Sequence, residues 1–151
     1  MSVADTEVAR RVEELATSLR GAGFRLTHQR LEVVREVASA ETHPDAEVVF
    51  TAVRERVPTI SLDTVYRTLG TLVDLGLVNR VAGTTATARY DANTTRHHHF
   101  VCARCGLIRD VESPVLDEVG VPDHAADLGR VSGVEVRFSG VCRRCIEAES
   151  A

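Results

Sequence analysis

The thirty residues from Ser61 to Tyr90 read SLDTVYRTLGTLVDLGLVNRVAGTTATARY, and their periodicity changes half-way. Leu62, Val65, Leu69 and Leu72 recur at the three-and-four spacing of one helical face. Ser61 stands where an N-cap hydroxyl accepts a backbone N–H, and Gly76 stands where a left-handed residue ends the last turn. Beyond it, Leu77–Val81 and Thr87–Tyr90 have strand character, and Gly83, Thr84 and Thr85 supply the turn between them. A helix over 62–75 followed by a two-stranded ribbon is the layout that closes a winged helix-turn-helix, with the helix as its reading element in a DNA major groove. Ser61, Thr64, Tyr66 and Arg67 lie off the apolar stripe and are placed to reach phosphates or base edges. Asp63 either accepts from a cytosine amino group or orients a neighbouring Arg. The plain alternative is a solvated helix face, and the ribbon after the helix tips the reading toward DNA.

Upstream, Val8, Val12, Leu15, Ala16 and Leu19 form a stripe that Gly21 and Gly23 end. Thr27 is placed to cap a second helix with Leu31, Val34 and Val37 as its inner face. After His43-Pro44, Asp45 is placed to cap a third, with Val48, Val49, Ala52 and Val53 inward and Pro58 as its stop. Residues 1–90 are therefore expected to form a winged-helix DNA-binding domain, 91–96 a polar hinge, and 97–151 a small α/β domain.

The second domain opens on His97-His98-His99-Phe100-Val101-Cys102-Ala103-Arg104-Cys105. In a strand, side chains alternate, so His97 and His99 share a face and His98 points away. Cys102 and Cys105 form one C-x-x-C knuckle and Cys142 and Cys145 another, with no cysteine left over. Adjacent pairs at both ends, with no secretory signal at the N-terminus, favour zinc over two disulfides. The 36 residues between the pairs, 106–141, exceed a zinc-ribbon gap, so strands over 98–101, 107–111 and 134–138, a helix from Pro114 and a terminal helix after Cys142 are expected around them. A zinc ion there adds on the order of 10 kcal/mol to folding. Open strand edges and few large apolar side chains point to burial against a second copy.

No run of about 18 apolar residues is present to span a membrane, so a cytoplasmic protein without a membrane partner is expected. The net charge of −4 argues against a strongly basic nucleic-acid binder, but residues 1–90 carry 11 Arg against 12 acidic side chains, and the acidity concentrates beyond them. All 18 basic residues are Arg, which reflects compositional bias first and suits phosphate and guanine contacts second.

Over almost its whole length the chain resembles the ferric uptake regulator family. The resemblance rests on Gly23-Phe24-Arg25-Leu26-Thr27-His28-Gln29-Arg30, His43-Pro44, Ser61 to Leu69, and His97 to Gly106, in that order. It implies an α+β protein: an N-terminal winged helix followed by a dimerisation domain with a four-cysteine zinc site at Cys102, Cys105, Cys142 and Cys145. It also implies a homodimeric repressor, not an enzyme, bound to an inverted-repeat operator in double-stranded DNA; by position and chemistry, Arg25 is expected to join Ser61, Thr64, Tyr66 and Arg67 in contact. The family's regulatory site falls on His43, Asp91, His97, His99 and Asp110. Imidazole and carboxylate without sulfur suit Fe(II), Mn(II), Co(II) or Zn(II).

Aspartate at both variable positions, Asp91 and Asp110, favours the peroxide-sensing branch. There, Fe(II) leads to oxidation of a ligand histidine, here His43 or His97. A plain iron, manganese or nickel sensor uses the same five residues, and a non-haem iron enzyme has a related donor set without any evident substrate pocket here. A zinc-stapled binding module accounts for the cysteines alone. An accessory metal site of some members falls on Arg96, His98, Asp117 and Val134, and is expected to be absent or incomplete. His28, His98 and His124 are expected to be solvated, and Gly120–His124 to interrupt a helix.

Overall fold

The computed structural model describes residues 3–151. The chain forms two compact units, one of residues up to 82 with 86–94, the other of 83–85 with 95–151.

In the first unit, α1 (Val3–Gly21), α2 (His28–Ser39), α3 (Ala46–Arg56) and α4 (Leu62–Asp74) precede an antiparallel ribbon of β1 (Asn79–Ala82) and β2 (Ala88–Asp91). All three expected caps are made. Thr27 accepts from the Arg30 N–H, Asp45 from Val48 and Ser61 from Thr64. At the end of α4, Gly76 takes φ +70°, which lets Leu77 N–H reach the Leu72 carbonyl and Gly76 N–H reach that of Val73.

Leu15 and Leu19, Val33, Val34 and Val37, Val49 and Val53, and Val65, Leu69 and Leu72 interdigitate as one core. Two inner-face expectations are corrected. Val48 is 55% exposed because Val49 and Ala46 face the core instead, and on α2 Val33 is fully buried while Leu31 is half-buried. Asp91, expected in the hinge, ends β2 opposite Asn79. Its carboxylate also accepts from the Asn93 N–H, so regular pairing reaches one residue further than its polarity suggests.

The second unit is a three-stranded sheet ordered β4-β3-β5, from β3 (His98–Cys102), β4 (Ile108–Val111) and β5 (Arg137–Gly140). β3 pairs antiparallel with β4 and parallel with β5. Two short helices, α5 (Pro114–Asp117) and α6 (Asp123–Asp127), stand where one longer helix is expected to be interrupted at 120–124, but the break covers 118–122, with Asp123 and His124 already in α6, and α7 (Arg143–Glu149) follows β5. The third strand begins at Arg137, later than expected. The Val136 N–H is taken by the His98 ring rather than by a ladder carbonyl. Val101, Cys102, Ile108 and Cys142 are the buried apolar residues of this unit, and no described helix is long and apolar enough to cross a membrane.

Candidate metal centres

The two cysteine knuckles come together at one end of the sheet. Cys102 ends β3, and Gly106 at φ +72° turns the chain so that its N–H meets the Cys102 carbonyl. Cys142 is the N-cap residue of α7, which places Cys145 in that helix's first turn. The parallel register Cys102↔Gly140, with Ala103 N–H on the Gly140 carbonyl at 2.7 Å, brings the second knuckle to the first.

All four sulfurs lie within 4.8 Å of one another, with Cys102 to Cys145 at 4.0 Å and Cys105 to Cys142 at 3.7 Å. Tetrahedral zinc with bonds of about 2.3 Å separates its sulfurs by about 3.8 Å, so the four donors fit that ion. The protons tell the same story. Backbone N–H groups of Cys105 and Cys142 pull the Cys102 thiol down to about 6, whereas the Cys142 thiol and burial push Cys145 up to about 12. One thiolate is ready, and the last forms only beside a cation.

Within the first unit, His43 and Asp91 form a buried pair, Nε2 to Oδ2 at 3.0 Å. His43 is the one described non-glycine residue with positive φ, at +41°, a conformation that costs about 1–3 kcal/mol and needs support from its surroundings. That support comes from β2. Tyr90 N–H donates to the Pro44 carbonyl at 3.0 Å, and the Arg89 guanidinium donates to the carbonyls of His43 and Thr42. Sequence reasoning missed Arg89, because an Arg on a strand gives no sign that it caps a loop 46 residues earlier.

Within the second unit, His97 Nδ1 donates to the Thr95 carbonyl at 2.6 Å and His99 Nδ1 to the Glu135 carboxylate at 2.8 Å. Both partners only accept, and each lies closer to its Nδ1 than Asp110 does to the Nε2, which assigns both protons to Nδ1 and turns each Nε2 lone pair the other way. Asp110, paired with His99 across β3 and β4, sets its Oδ1 3.3 Å from His97 Nε2 and 3.5 Å from His99 Nε2. Two lone pairs and a carboxylate oxygen thus converge, an arrangement that a cation satisfies and neutral groups do not. The donor set of nitrogen and oxygen suits a first-row divalent ion.

His98 overturns its expectation. It is fully buried, not solvated, because α5 covers the face of β3 it points to: Nδ1 accepts from Val136 N–H at 3.0 Å, so Nε2 donates to Asp117 at 3.2 Å. With both nitrogens so engaged, and Arg96 3.9 Å from Asp117, these residues form a structural cross-link. Among the described residues they are not part of a metal-capable group. His28 and His124 are exposed, as expected.

On α4, Tyr66 is 47% exposed and Arg67 points to solvent, held by Asp63 at 2.9 Å. Asp63 therefore orients Arg67. Ser61 and Thr64 spend their hydroxyls on the cap, 2.9 Å apart, and Arg25 is exposed at the start of the turn into α2.

The sequence profile of the ferric uptake regulator family matches residues 21–126. The chain belongs to this family. It is 35% identical over 148 residues to the peroxide-responsive repressor PerR of Staphylococcus epidermidis, covering 97% of this chain and 98% of the relative, and 35% identical over 146 residues to PerR of Staphylococcus aureus. The fold superposes on the ferric uptake regulator of Helicobacter pylori with a TM-score of 0.73 at 22% identity, over 94% of this chain and 95% of that one. It also superposes on a zinc-bound manganese uptake regulator with a TM-score of 0.65 at 29% identity, over 87% and 98%. The chain is thus a metalloregulator of this family with an α+β fold and a cysteine cluster built for zinc.

Proposed function

We propose that the protein is a homodimeric, metal-dependent transcriptional repressor that binds an inverted-repeat operator and senses hydrogen peroxide. Zinc is held by Cys102, Cys105, Cys142 and Cys145 as a structural ion. The regulatory ion, Fe(II) or Mn(II), takes its donors from both half-sites: His43 and Asp91 from the first unit, and His97, His99 and Asp110 from the second. Each half alone offers too few donors to fill a five- or six-coordinate shell. The observation that carries the reading is the pair of imidazoles whose Nδ1 protons are pinned, so that their Nε2 lone pairs converge on Asp110 without any sulfur. The 35% identity to peroxide-responsive repressors supports the branch, as do aspartates at both variable positions.

Fe(II) held by His43, Asp91, His97, His99 and Asp110 would activate hydrogen peroxide at the site; in the net change the ring of His43 or His97 gives up the two electrons that break the O–O bond, an imidazole C–H becomes C–OH, and the second peroxide oxygen leaves as water. The oxidised ring no longer ligates well, metal is lost and the operator is released. Arg25, Tyr66 and Arg67 make the DNA contacts that this release breaks, with Ser61 and Thr64 at the start of the reading helix. The seven large apolar side chains exposed on the second unit, Leu128 and Val115 foremost, meet a second copy.

Peptide mass spectrometry of the Fe(II)-loaded protein before and after a brief low dose of peroxide, beside the Mn(II) form, tests this. One added oxygen on His43 or His97, only with iron and with loss of operator binding, is expected. DNA binding that follows metal concentration alone, with intact histidines, would make the protein a metal-uptake regulator, the reading that likeness to manganese and iron regulators favours.

A further inference from the structure

The Glu135 carboxylate lies outside the five proposed ligands, yet it touches one of them. It comes from the segment before β5, 36 residues after His99, and accepts from His99 Nδ1 at 2.8 Å. The side chain is 56% exposed while His99 is 6% exposed, so the contact joins a surface carboxylate to a buried imidazole. The contact is not a loose surface encounter, because the next residue is tied to β3 twice. Val136 N–H donates to the buried His98 ring at 3.0 Å, and the Val136 carbonyl accepts from His99 N–H at 3.2 Å. His98 in turn is held by Asp117, so α5, β3 and the 135–136 segment share one hydrogen-bonded cross-link.

We infer that Glu135 is a positioning residue for the regulatory ion: it holds the His99 proton on Nδ1 and so presents Nε2 as the donor. This rests on the metal site proposed above. An imidazole carries one proton when neutral, and the nitrogen with the closer acceptor keeps it: Glu135 lies 2.8 Å from Nδ1, whereas Asp110 lies 3.5 Å from Nε2. With the carboxylate in place, Nε2 faces Asp110 as a lone pair, and the partial negative charge passed through the ring makes that nitrogen a better ligand. Thr95 does the same for His97 through a neutral backbone carbonyl. The two histidines thus differ in what holds the Nδ1 proton, a carboxylate for His99 and a neutral backbone carbonyl for His97.

The test uses full-length protein with its structural zinc retained and the regulatory site metal-free. Long-range nitrogen–proton correlation spectra are expected to show His99 as the Nδ1-protonated tautomer in the wild type. In Glu135→Ala they should show a tautomer mixture, and in Glu135→Gln, whose amide oxygen still accepts, the wild-type form again. Mn(II) titration followed by electron paramagnetic resonance should give binding about tenfold weaker for Glu135→Ala and an intermediate value for Glu135→Gln. Zinc content and melting should be unchanged in both, which separates positioning from folding. Unchanged tautomer and unchanged Mn(II) affinity in Glu135→Ala overturns the inference. If His99→Ala binds Mn(II) as the wild type does, the metal-site reading itself fails, and the tautomer spectra alone still decide what Glu135 does to the ring.

Discussion

Replacing Cys142 by Ser is expected to unfold the second unit while the first stays folded. Residues 83–85 and 95–151 bury only Val101, Ile108, Cys102 and Cys142 among their apolar side chains. Burying Val101 and Ile108 contributes about 3–6 kcal/mol together. Ordering each backbone residue costs about 1–2 kcal/mol. A zinc ion bound by four thiolates contributes about 10–16 kcal/mol, and is therefore the largest single contribution to this unit. Serine keeps the shape of residue 142 but does not ionise to a ligand, so the ion loses one of its four sulfurs and one of the two, Cys142 and Cys145, that tie α7 to β3. The first unit has no such dependence, since its core runs through four helices. Both tyrosines, Tyr66 and Tyr90, lie in that unit and the chain has no Trp, so near-ultraviolet tyrosine dichroism reports on the first unit alone. Amide spectra of the variant should lose the dispersed signals of His98, Val101 and Ile108 with the tyrosine dichroism intact, and a strong chelator should do the same to the wild type. A zinc-free variant that keeps those signals would falsify the claim that metal holds this unit together.

Three further outcomes follow from particular contacts. Burial pushes the Glu32 carboxyl up, but hydrogen bonds from Arg56 and Arg35 outweigh it and hold the group below 4.5. A depressed folded value means the contribution is present above the unfolded value and lost as pH falls through the folded one, so denaturant titrations should show wild-type stability falling below about pH 4.5 more than that of Glu32→Gln. At neutral pH the same variant should be about 1–3 kcal/mol less stable. Arg89→Ala removes the guanidinium from the carbonyls of Thr42 and His43, and should speed hydrogen exchange at Tyr90, whose N–H is bonded to Pro44, while lowering stability by about 1–2 kcal/mol. Arg67→Ala should leave melting within about 0.5 kcal/mol of the wild type, because its pair with Asp63 is exposed, yet weaken specific operator binding by about tenfold or more; unchanged affinity in a salt-controlled binding assay would sink the docking of α4.

Local signals carried most of the first unit. Thr27, Asp45 and Ser61 each cap the helix they precede, and Gly76 takes the positive φ its position calls for, because caps and turns depend on a few neighbouring residues. Adjacent valines were harder. At 100° per residue, Val48 and Val49 both border the inner stripe, and only the packing partner decides that Val49 is buried; on α2 the same packing buries both Val33 and Val34. In the second unit alternation placed His97 and His99 together, with ring centroids 4.7 Å apart. It misjudged His98 because it assumes a strand with one wet face, and α5 covers that face. Glu135 and Arg89 were illegible for a common reason: each acts on a residue at least 36 positions away in the sequence, and no local pattern encodes that.

The half-sites also suggest how an ion does work on DNA affinity. Each is held in shape by its own unit: His43 by Arg89 and the Tyr90 to Pro44 bond, His97 by Thr95, His99 by Glu135. Little of the metal's binding free energy is then spent on ordering side chains. On the proposed reading, an arrangement of the units that engages all five donors binds the ion more tightly than one that engages the His97, His99 and Asp110 half alone. The difference is the coupling free energy available to DNA binding, and shifting a 1:99 equilibrium to 99:1 takes about 5.5 kcal/mol. Losing His43 and Asp91 as donors removes that difference while leaving the other half able to bind. His43→Ala is therefore expected to abolish metal-dependent operator binding at metal concentrations that still occupy the second unit, with dimer and zinc content unchanged. If metal still promotes operator binding in His43→Ala, the coupling does not run through this pair.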